Sequence, residues 1–206
     1  MEAITIIETP ACWNARMLKG HTKGWHMLTY IVLGIMKYHK GPIVEIGMGA
    51  SSFELAYLAR GAEEKLYSCD LKMGGMFNAF PEKLFDNHIC FIGKSEDFIK
   101  QFDDTPSVVF IDGKHDYEVV KMEGDFFLDK LKDNGVMFLH DAFPQQERLL
   151  AADPKPHDVY LYRQELERNP DYDVFTWPYS SLMMGLTMVM KHKKDRPYWL
   201  QNGRTC

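Results

Sequence analysis

The sequence lacks the cysteine patterns that mark zinc sites. Its four cysteines, Cys12, Cys69, Cys90 and Cys206, form no CxxC pair and show no zinc-like spacing. The chain also has no internal repeat and no low-complexity tract, so wholesale disorder is not expected. Its 206 residues suffice for one well-filled core but hardly for two, and we expect a single domain over residues 1–206.

Positive charge is also scarce. The chain carries 24 lysines and arginines against 29 aspartates and glutamates, a net charge of −5, whereas proteins held to duplex nucleic acid by phosphate contacts are normally basic. No signal peptide is evident in the first 30 residues. The apolar stretch from Trp25 to Met36 is too short and too polar to span a membrane. We therefore expect a cytoplasmic protein with neither duplex nucleic acid nor a membrane as partner.

Short apolar runs alternate with segments of helical periodicity. The runs predict seven strands, at Ile43–Ile46, Lys65–Asp70, His88–Gly93, Ser107–Asp112, Val136–His140, Tyr172–Trp177 and Leu186–Lys191. The periodic segments predict five helices, at 24–39, Ser52–Arg60, Ser95–Phe102, Tyr117–Leu131 and Asp158–Arg168. Ser95 is the expected N-cap of its helix, and Glu63, Glu64 and Glu123 are expected to face solvent.

The order of these elements predicts an α/β fold. Strands and helices alternate from residue 43 to 141, which is typical of a mostly parallel sheet with helices on both faces. The last two strands are joined by too short a connection for a parallel crossover, so we predict an antiparallel pair. Residues 1–40 are expected to form a helical lid segment, 43–141 the ligand-binding core, and 142–206 a loop, a helix and the strand pair.

The first predicted strand ends in a glycine-rich turn, Gly47-Met48-Gly49-Ala50-Ser51. Its glycines allow a tight bend and the close approach of a ligand, and ligands of open α/β sheets lie at the carboxyl ends of the strands. The next strand ends in Asp70, where a carboxylate can accept hydrogen bonds from both hydroxyls of a ribose. We interpret Gly47, Gly49, Ser51 and Asp70 as nucleoside-binding residues.

Three interpretations fit this turn: it binds S-adenosylmethionine, it binds a nicotinamide dinucleotide, or it is a tight turn that binds no ligand. Dinucleotide sites usually have a third glycine, where this chain has Ser52. S-adenosylmethionine carries no phosphate and does not need that glycine, and its positive charge suits the acidic Glu45 in the strand. The pattern therefore favours S-adenosylmethionine over a nicotinamide dinucleotide.

A longer motif surrounds the fourth and fifth predicted strands. It runs Phe110-Ile111-Asp112-Gly113-Lys114-His115-Asp116-Tyr117, then Asp125, Leu131, Asn134-Gly135-Val136 and Leu139-His140-Asp141. The series resembles the class I methyltransferases of the macrocin-type sugar O-methyltransferase group, over residues 43–141. The resemblance implies their seven-stranded, Rossmann-like sheet with an antiparallel last strand, and S-adenosylmethionine as cofactor.

The resemblance also implies the roles of individual cofactor contacts. Gly47 and Gly49 would pass beside the methionine part, Asp70 would hold the ribose, and Ser95 and Glu96 would contact the adenine. The remaining predicted cofactor contacts are Glu45, Ser51 and Asp112.

Metal and base positions follow from the same resemblance. In relatives of this type, acids at the ends of the fourth and fifth strands hold magnesium, and Asp112 and Asp141 match them. His115 matches a general base, so we predict His115 and Asp112 as catalytic residues. His140 replaces an acid that metal-dependent relatives often carry, and Lys114 replaces another. Because Mg²⁺ prefers oxygen ligands, a site of Asp112, Asp141 and His140 would favour Mn²⁺ or iron.

The resulting prediction is an S-adenosylmethionine-dependent methyltransferase. Its expected partner is a small-molecule acceptor, such as a sugar, methylated on a hydroxyl with help from Mg²⁺ or Mn²⁺, and the chain could assemble as a homo-oligomer. Two alternatives stay open beside the nicotinamide oxidoreductase: a metal-independent methyltransferase acting on another acceptor, and a non-catalytic nucleoside-binding protein with the same fold.

Overall fold

The computed structural model describes residues 31–72, 86–146, 150, 157–178 and 184–191. Its strands are β1 (Ile43–Ile46), β2 (Leu66–Asp70), β3 (His88–Ile92), β4 (Val108–Ile111), β5 (Val136–His140), β6 (Tyr172–Trp177) and β7 (Leu186–Lys191). Its helices are α1 (Ala50–Gly61), α2 (Ser95–Gln101), α3 (Tyr117–Lys130) and α4 (Val159–Arg168). Residues 31–38 are helical as well.

All seven strands belong to one sheet, in the order β3-β2-β1-β4-β5-β7-β6. Strands β1 to β5 pair in parallel, while β7 is antiparallel to both β5 and β6. The predicted α/β architecture with an antiparallel last strand is thus confirmed. The strand ends differ from the predicted ones by at most one residue. Residues 1–30 of the predicted lid segment, which include residues 24–30 of the first predicted helix, lie outside the described residues.

Apolar side chains cover both faces of the sheet. On one face, β-strand residues such as Val109 and Leu139 pack with Phe98 of α2, Phe127 of α3 and Tyr162 of α4. The opposite face packs against residues 31–38 and α1, with members that include Val32, Met36, Ile43, Leu55, Val108 and Phe138. Because β1 and β4 are covered on both sides, all their residues are buried, which is the pattern of central parallel strands.

This winding creates a switch point between β1 and β4. Helix α1 follows β1 onto one face, and α3 follows β4 onto the other. In open α/β sheets, a crevice for ligands forms at the carboxyl edge where the chain diverges in this way. Within the described residues, no helix combines the length and the apolar character that a membrane crossing requires.

The contact between α3 and α4 generates a stability prediction. A Cβ at Gly124 would lie 2.6 Å from the Tyr162 hydroxyl and 2.8 Å from its Cζ, and Tyr162 is buried with its hydroxyl donating to Asp125. Gly124→Ala should therefore lower the free energy of unfolding by about 1–3 kcal/mol through overpacking. Gly34 lies in a helix with no described atom within 4 Å of an added Cβ, so Gly34→Ala should raise it by up to about 1 kcal/mol. Urea unfolding of both variants measures the two changes, and equal effects would contradict this view of the helix interface.

Candidate functional site

The turn after β1 is held against the end of β4. Gly47 has a φ of +91°, which side chains disfavour. A Cβ there would lie 2.5 Å from the Asp112 carbonyl carbon and 2.7 Å from the Gly113 nitrogen. Gly49 differs, because no described atom lies within 4 Å of a Cβ built on it. Gly47 is thus required by the fold, whereas Gly49 leaves its side open to a ligand.

The Glu45 side chain stabilises this turn through hydrogen bonds. Its carboxylate is fully buried and accepts hydrogen bonds from the hydroxyls of Ser51, Ser52 and Ser68 at 2.5, 2.7 and 2.7 Å. The Ser52 hydroxyl also accepts a bond from the Gly49 backbone N–H. Glu45 and Ser51 therefore stabilise the turn through hydrogen bonds. Direct contacts of Glu45 and Ser51 with the cofactor stay predictions.

Burial has a measurable consequence at Glu45. Desolvation raises the pKa of its carboxyl to about 7, although the three serine hydroxyls oppose the change. Ser68 also lies 3.0 Å from Nε2 of His88, whose pKa burial lowers to about 4. The support of the turn is therefore a buried polar network in which His88 is neutral and the ionisation of Glu45 is suppressed at neutral pH relative to an exposed glutamate.

Asp70 points towards the same turn. Its Oδ2 accepts a hydrogen bond from the Met48 N–H at 2.8 Å, and its Oδ1 accepts one from the Lys72 N–H at 3.2 Å. The structure thus brings together the glycine turn and the acid at the end of β2. Since a carboxylate has about four lone-pair sites, Asp70 keeps acceptor capacity for a ligand.

The predicted adenine contacts lie at the start of α2. Ser95 is the first residue of the helix, and its N-cap is Lys94 with an extended backbone, so the predicted N-cap role of Ser95 is wrong. Its side chain instead bonds Glu123, while Glu96 is half-buried. The contacts of Ser95 and Glu96 with adenine stay predictions.

Glu123 itself corrects a second expectation. It is buried rather than solvent-exposed, and burial raises the pKa of its carboxyl to about 7 despite the Ser95 hydrogen bond. Glu63 is exposed as expected, and Glu64 is half-buried. Charge alone did not reveal that the face of α3 bearing Glu123 packs under α2.

Two acids and two histidines meet where β4 and β5 end. The Oδ1 atom of Asp112 lies 2.9 Å from Nδ1 of His140 and 3.3 Å from Nε2 of His115. Asp141 Oδ1 lies 3.4 Å from Nδ1 of His140, and its Oδ2 lies 3.9 Å from Nε2 of His115. The sequence-derived metal and base candidates therefore form one cluster.

Asp112 and His140 form an ion pair. Burial alone would raise the pKa of Asp112, but the charge of His140 and hydrogen bonds from His115 and His140 outweigh it and hold this pKa well below its usual range. Burial alone would lower the pKa of His140, yet Asp112 raises it to about 9. At neutral pH the pair is therefore a carboxylate and an imidazolium.

Asp141 adopts a backbone conformation that few residues other than glycine adopt. Its φ is +53°, an arrangement for which aspartate is among the better-tolerated residues, and its N–H donates to the Gly185 carbonyl of the segment before β7. Such conformations are common where a side chain is held for function. Here the conformation accompanies a carboxylate that faces His115 and His140.

Lys114 lies apart from this cluster. Its Nζ is 3.2 Å from Asp116 Oδ2, and half of its side chain is exposed. Lys114, which replaces the acid of related motifs, is thus paired with Asp116 outside the cluster and not with Asp112.

One histidine of the site was not predicted. The ring of His157 lies 4.6 Å from the ring of His115, centroid to centroid. His157 follows Pro156 in the sequence, and no periodicity or motif marks it. Only the tertiary contact between His157 and the loop after β4 reveals it.

Comparisons with known proteins bear on the fold and on the enzyme class. Residues 44–142 match a family model described as a methyltransferase domain. The match spans 99 of the chain's 206 residues, and over this segment the chain is similar to a methyltransferase domain. Together with the fold, the match confirms the predicted enzyme class, an S-adenosylmethionine-dependent methyltransferase, while the macrocin-type group stays a prediction. No curated protein matches the chain.

Solved structures share the fold at low identity. The SAH-bound (S-adenosylhomocysteine) methyltransferase PaMTH1 from Podospora anserina has a TM-score of 0.62 at 16% identity, over 87% of this chain and 82% of that one. An O-methyltransferase from Bacillus cereus in complex with SAH has a TM-score of 0.63 at 15% identity, over 92% and 94%. The MycE methyltransferase of the mycinamycin pathway, in complex with Mg and SAH, has a TM-score of 0.55 at 14% identity, over 85% and 55%.

The network under the turn predicts a pH-dependent contribution to stability. A glutamate whose pKa rises from 4.5 unfolded to about 7 folded stabilises the fold most below pH 4.5, and this contribution is lost as the pH rises through 7. Because Gln does not titrate, the unfolding free energy of the wild type minus that of Glu45→Gln should fall by about 3 kcal/mol from pH 4.5 to above pH 7. Denaturant unfolding at a series of pH values measures the difference, and a pH-independent difference would contradict it.

Proposed function

We propose that this enzyme transfers the methyl group of S-adenosylmethionine to a hydroxyl of a small molecule, with a sugar as the acceptor class that the motif favours. The observation that carries the proposal is the hydrogen bond between Asp70 and the Met48 N–H in the glycine turn. It joins a ribose-binding acid and a ligand-permissive turn at the switch point of the sheet.

The cofactor pose follows from the groups that remain available. Asp70 would accept bonds from the ribose hydroxyls, and the methionine part would pass along the open side of Gly49. Ser52, at the third position of a dinucleotide fingerprint, is buried and bonded to Glu45. This arrangement favours a nucleoside without a diphosphate and disfavours a nicotinamide dinucleotide.

The acceptor would then lie beside the loop after β4. Its hydroxyl oxygen would attack the methyl carbon in line with the carbon–sulfur bond, whose electron pair leaves with the sulfur to give S-adenosylhomocysteine. His115 would take the hydroxyl proton, and Asp112, 3.3 Å from its Nε2, would orient the imidazole. Most of the rate enhancement would come from positioning the two reactants.

A divalent metal fits the donor set at this position. Asp112, Asp141 and His140 would hold it, and its charge would lower the pKa of the acceptor hydroxyl. Oxygen and imidazole donors together suit Mn²⁺ better than Mg²⁺. The MycE methyltransferase, which is similar in fold, was solved in complex with Mg, which supports a metal-assisted reaction here.

A metal-independent reaction is the second candidate, favoured by the Asp112–His140 ion pair. The imidazolium of His140 already supplies a positive charge to Asp112. If a metal is used, the SAH-loaded wild type should bind Mn²⁺, detected by the loss of the free-ion electron paramagnetic resonance signal. Asp112→Asn should then bind it at least about tenfold more weakly, because a charged ligand is lost. Absence of Mn²⁺ binding by the wild type would favour the metal-independent reaction.

Calorimetry with S-adenosylhomocysteine tests the cofactor directly. The wild type should bind it, and Asp70→Asn should bind at least about tenfold more weakly because hydrogen bonds to a charged acceptor are lost. Asp103→Asn, at an exposed acid after α2, is the matched control and should not change the affinity. Binding of NAD in place of S-adenosylhomocysteine, or unchanged affinity in Asp70→Asn, would contradict the proposal.

A further inference from the structure

The histidines and acids of the site fall into two groups that share His115. One group consists of Asp112, His115 and His140, and the other of His115, Asp141 and His157. Within each group, every residue offers one ligand atom, and these atoms lie within 4.8 Å of one another. The second group includes a residue outside the segment that matches the methyltransferase family, since that match ends at residue 142.

His157 is held at this position by its neighbour. The N–H of Asp158 donates to the His115 carbonyl at 3.2 Å, and Oδ1 of Asp158 accepts a bond from the Tyr117 N–H at 2.7 Å. These two bonds tie the segment before α4 to His115 and to Tyr117, the first residue of α3. The close, tilted approach of the two imidazole rings therefore follows from hydrogen bonds made by the neighbouring Asp158.

The second group has more nitrogen donors than the set of Asp112, Asp141 and His140 proposed above for Mg²⁺ or Mn²⁺, and the same donor types as the group of Asp112, His115 and His140. Two imidazole nitrogens and one carboxylate suit late first-row divalent ions such as Co²⁺, Ni²⁺ and Zn²⁺. Mg²⁺, in contrast, requires mostly oxygen ligands and gives up its water reluctantly. All three side chains are partly shielded from solvent, with 21% of His115 and 17% of Asp141 exposed, and His157 is half-buried.

We propose that His115, Asp141 and His157 form a binding site for a late first-row divalent cation, and that its occupation inhibits methyl transfer. The inhibition, unlike the binding, rests on the proposed function. A neutral imidazole that ligates a metal through one nitrogen carries its proton on the other, so neither nitrogen of His115 can accept a proton while the ion is bound. Mg²⁺ or Mn²⁺ on the Asp112 side and Zn²⁺ on the His157 side would thus have opposite effects.

Cobalt titration of the metal-stripped, tag-free full chain tests the binding. Co²⁺ reports nitrogen ligation through its visible absorption, and the wild type should bind it at least about 100-fold more tightly than Mg²⁺. His157→Ala and His157→Gln should each weaken Co²⁺ binding at least about tenfold and leave Mg²⁺ binding within about twofold. His39→Ala, at a histidine after the helical residues 31–38, should match the wild type.

Two results would overturn the inference: no cobalt absorption with the wild type, or His157 variants that bind Co²⁺ as tightly as the wild type while their circular dichroism shows an intact fold. S-adenosylhomocysteine calorimetry on the same samples separates this failure from failure of the proposed function. Cobalt binding without nucleoside binding would remove the methyl-transfer proposal and keep the metal site. Binding of S-adenosylhomocysteine with no loss of Co²⁺ affinity in the His157 variants would remove the proposed metal site and keep the methyl-transfer proposal.

Discussion

The site depends on how closely the end of β1 approaches the end of β4. Gly47 lies so near the backbone of Asp112 and Gly113 that a single added carbon would overlap it, and the Asp112 N–H donates to the Ile46 carbonyl at 2.8 Å. The turn beside Asp70 and the loop that carries Asp112 and His115 are therefore one rigid unit. Reactants held by the two loops would keep a fixed relative position, which is what an in-line transfer requires.

Buried polar groups that are satisfied by hydrogen bonds or by ion pairing maintain this unit. Glu45 connects three serines beneath the turn, and its raised pKa reflects the cost of burying a carboxylate. At the end of β4, the attraction between Asp112 and His140 offsets the free-energy cost of burying their charges. Hydrogen bonds that satisfy buried groups fix geometry more reliably than apolar packing does, and both clusters lie directly under the surfaces that we assign to the reactants.

The parts of the fold set by local pattern could be predicted from the sequence. Fully apolar runs such as Val108–Ile111 can only be central strands of a covered sheet, and the short link before β7 excluded a parallel crossover. The acids and histidines near the ends of β4 and β5 were predicted as metal and base positions from the family resemblance, and they meet because parallel strands bring their carboxyl ends to one edge. Side chains at that edge are placed by the strands themselves.

The remaining features depend on contacts between distant segments. His157 joins the site because Asp158 bonds the loop after β4, and Glu123 is buried because α3 packs beneath α2, where Ser95 meets it. Neither contact leaves a periodic or motif signal in the sequence. The assignment of Glu123 to solvent failed for this reason, since a charge on a helix reveals nothing about the neighbour that covers it.

A crystal structure of the chain with S-adenosylhomocysteine tests the central claim most directly. The account predicts both ribose hydroxyls within hydrogen-bond distance of the Asp70 carboxylate, the Met48–Asp70 bond retained, and the homocysteine part beside Gly49. A nucleoside bound elsewhere, or an Asp70 side chain turned away from it, would contradict the account.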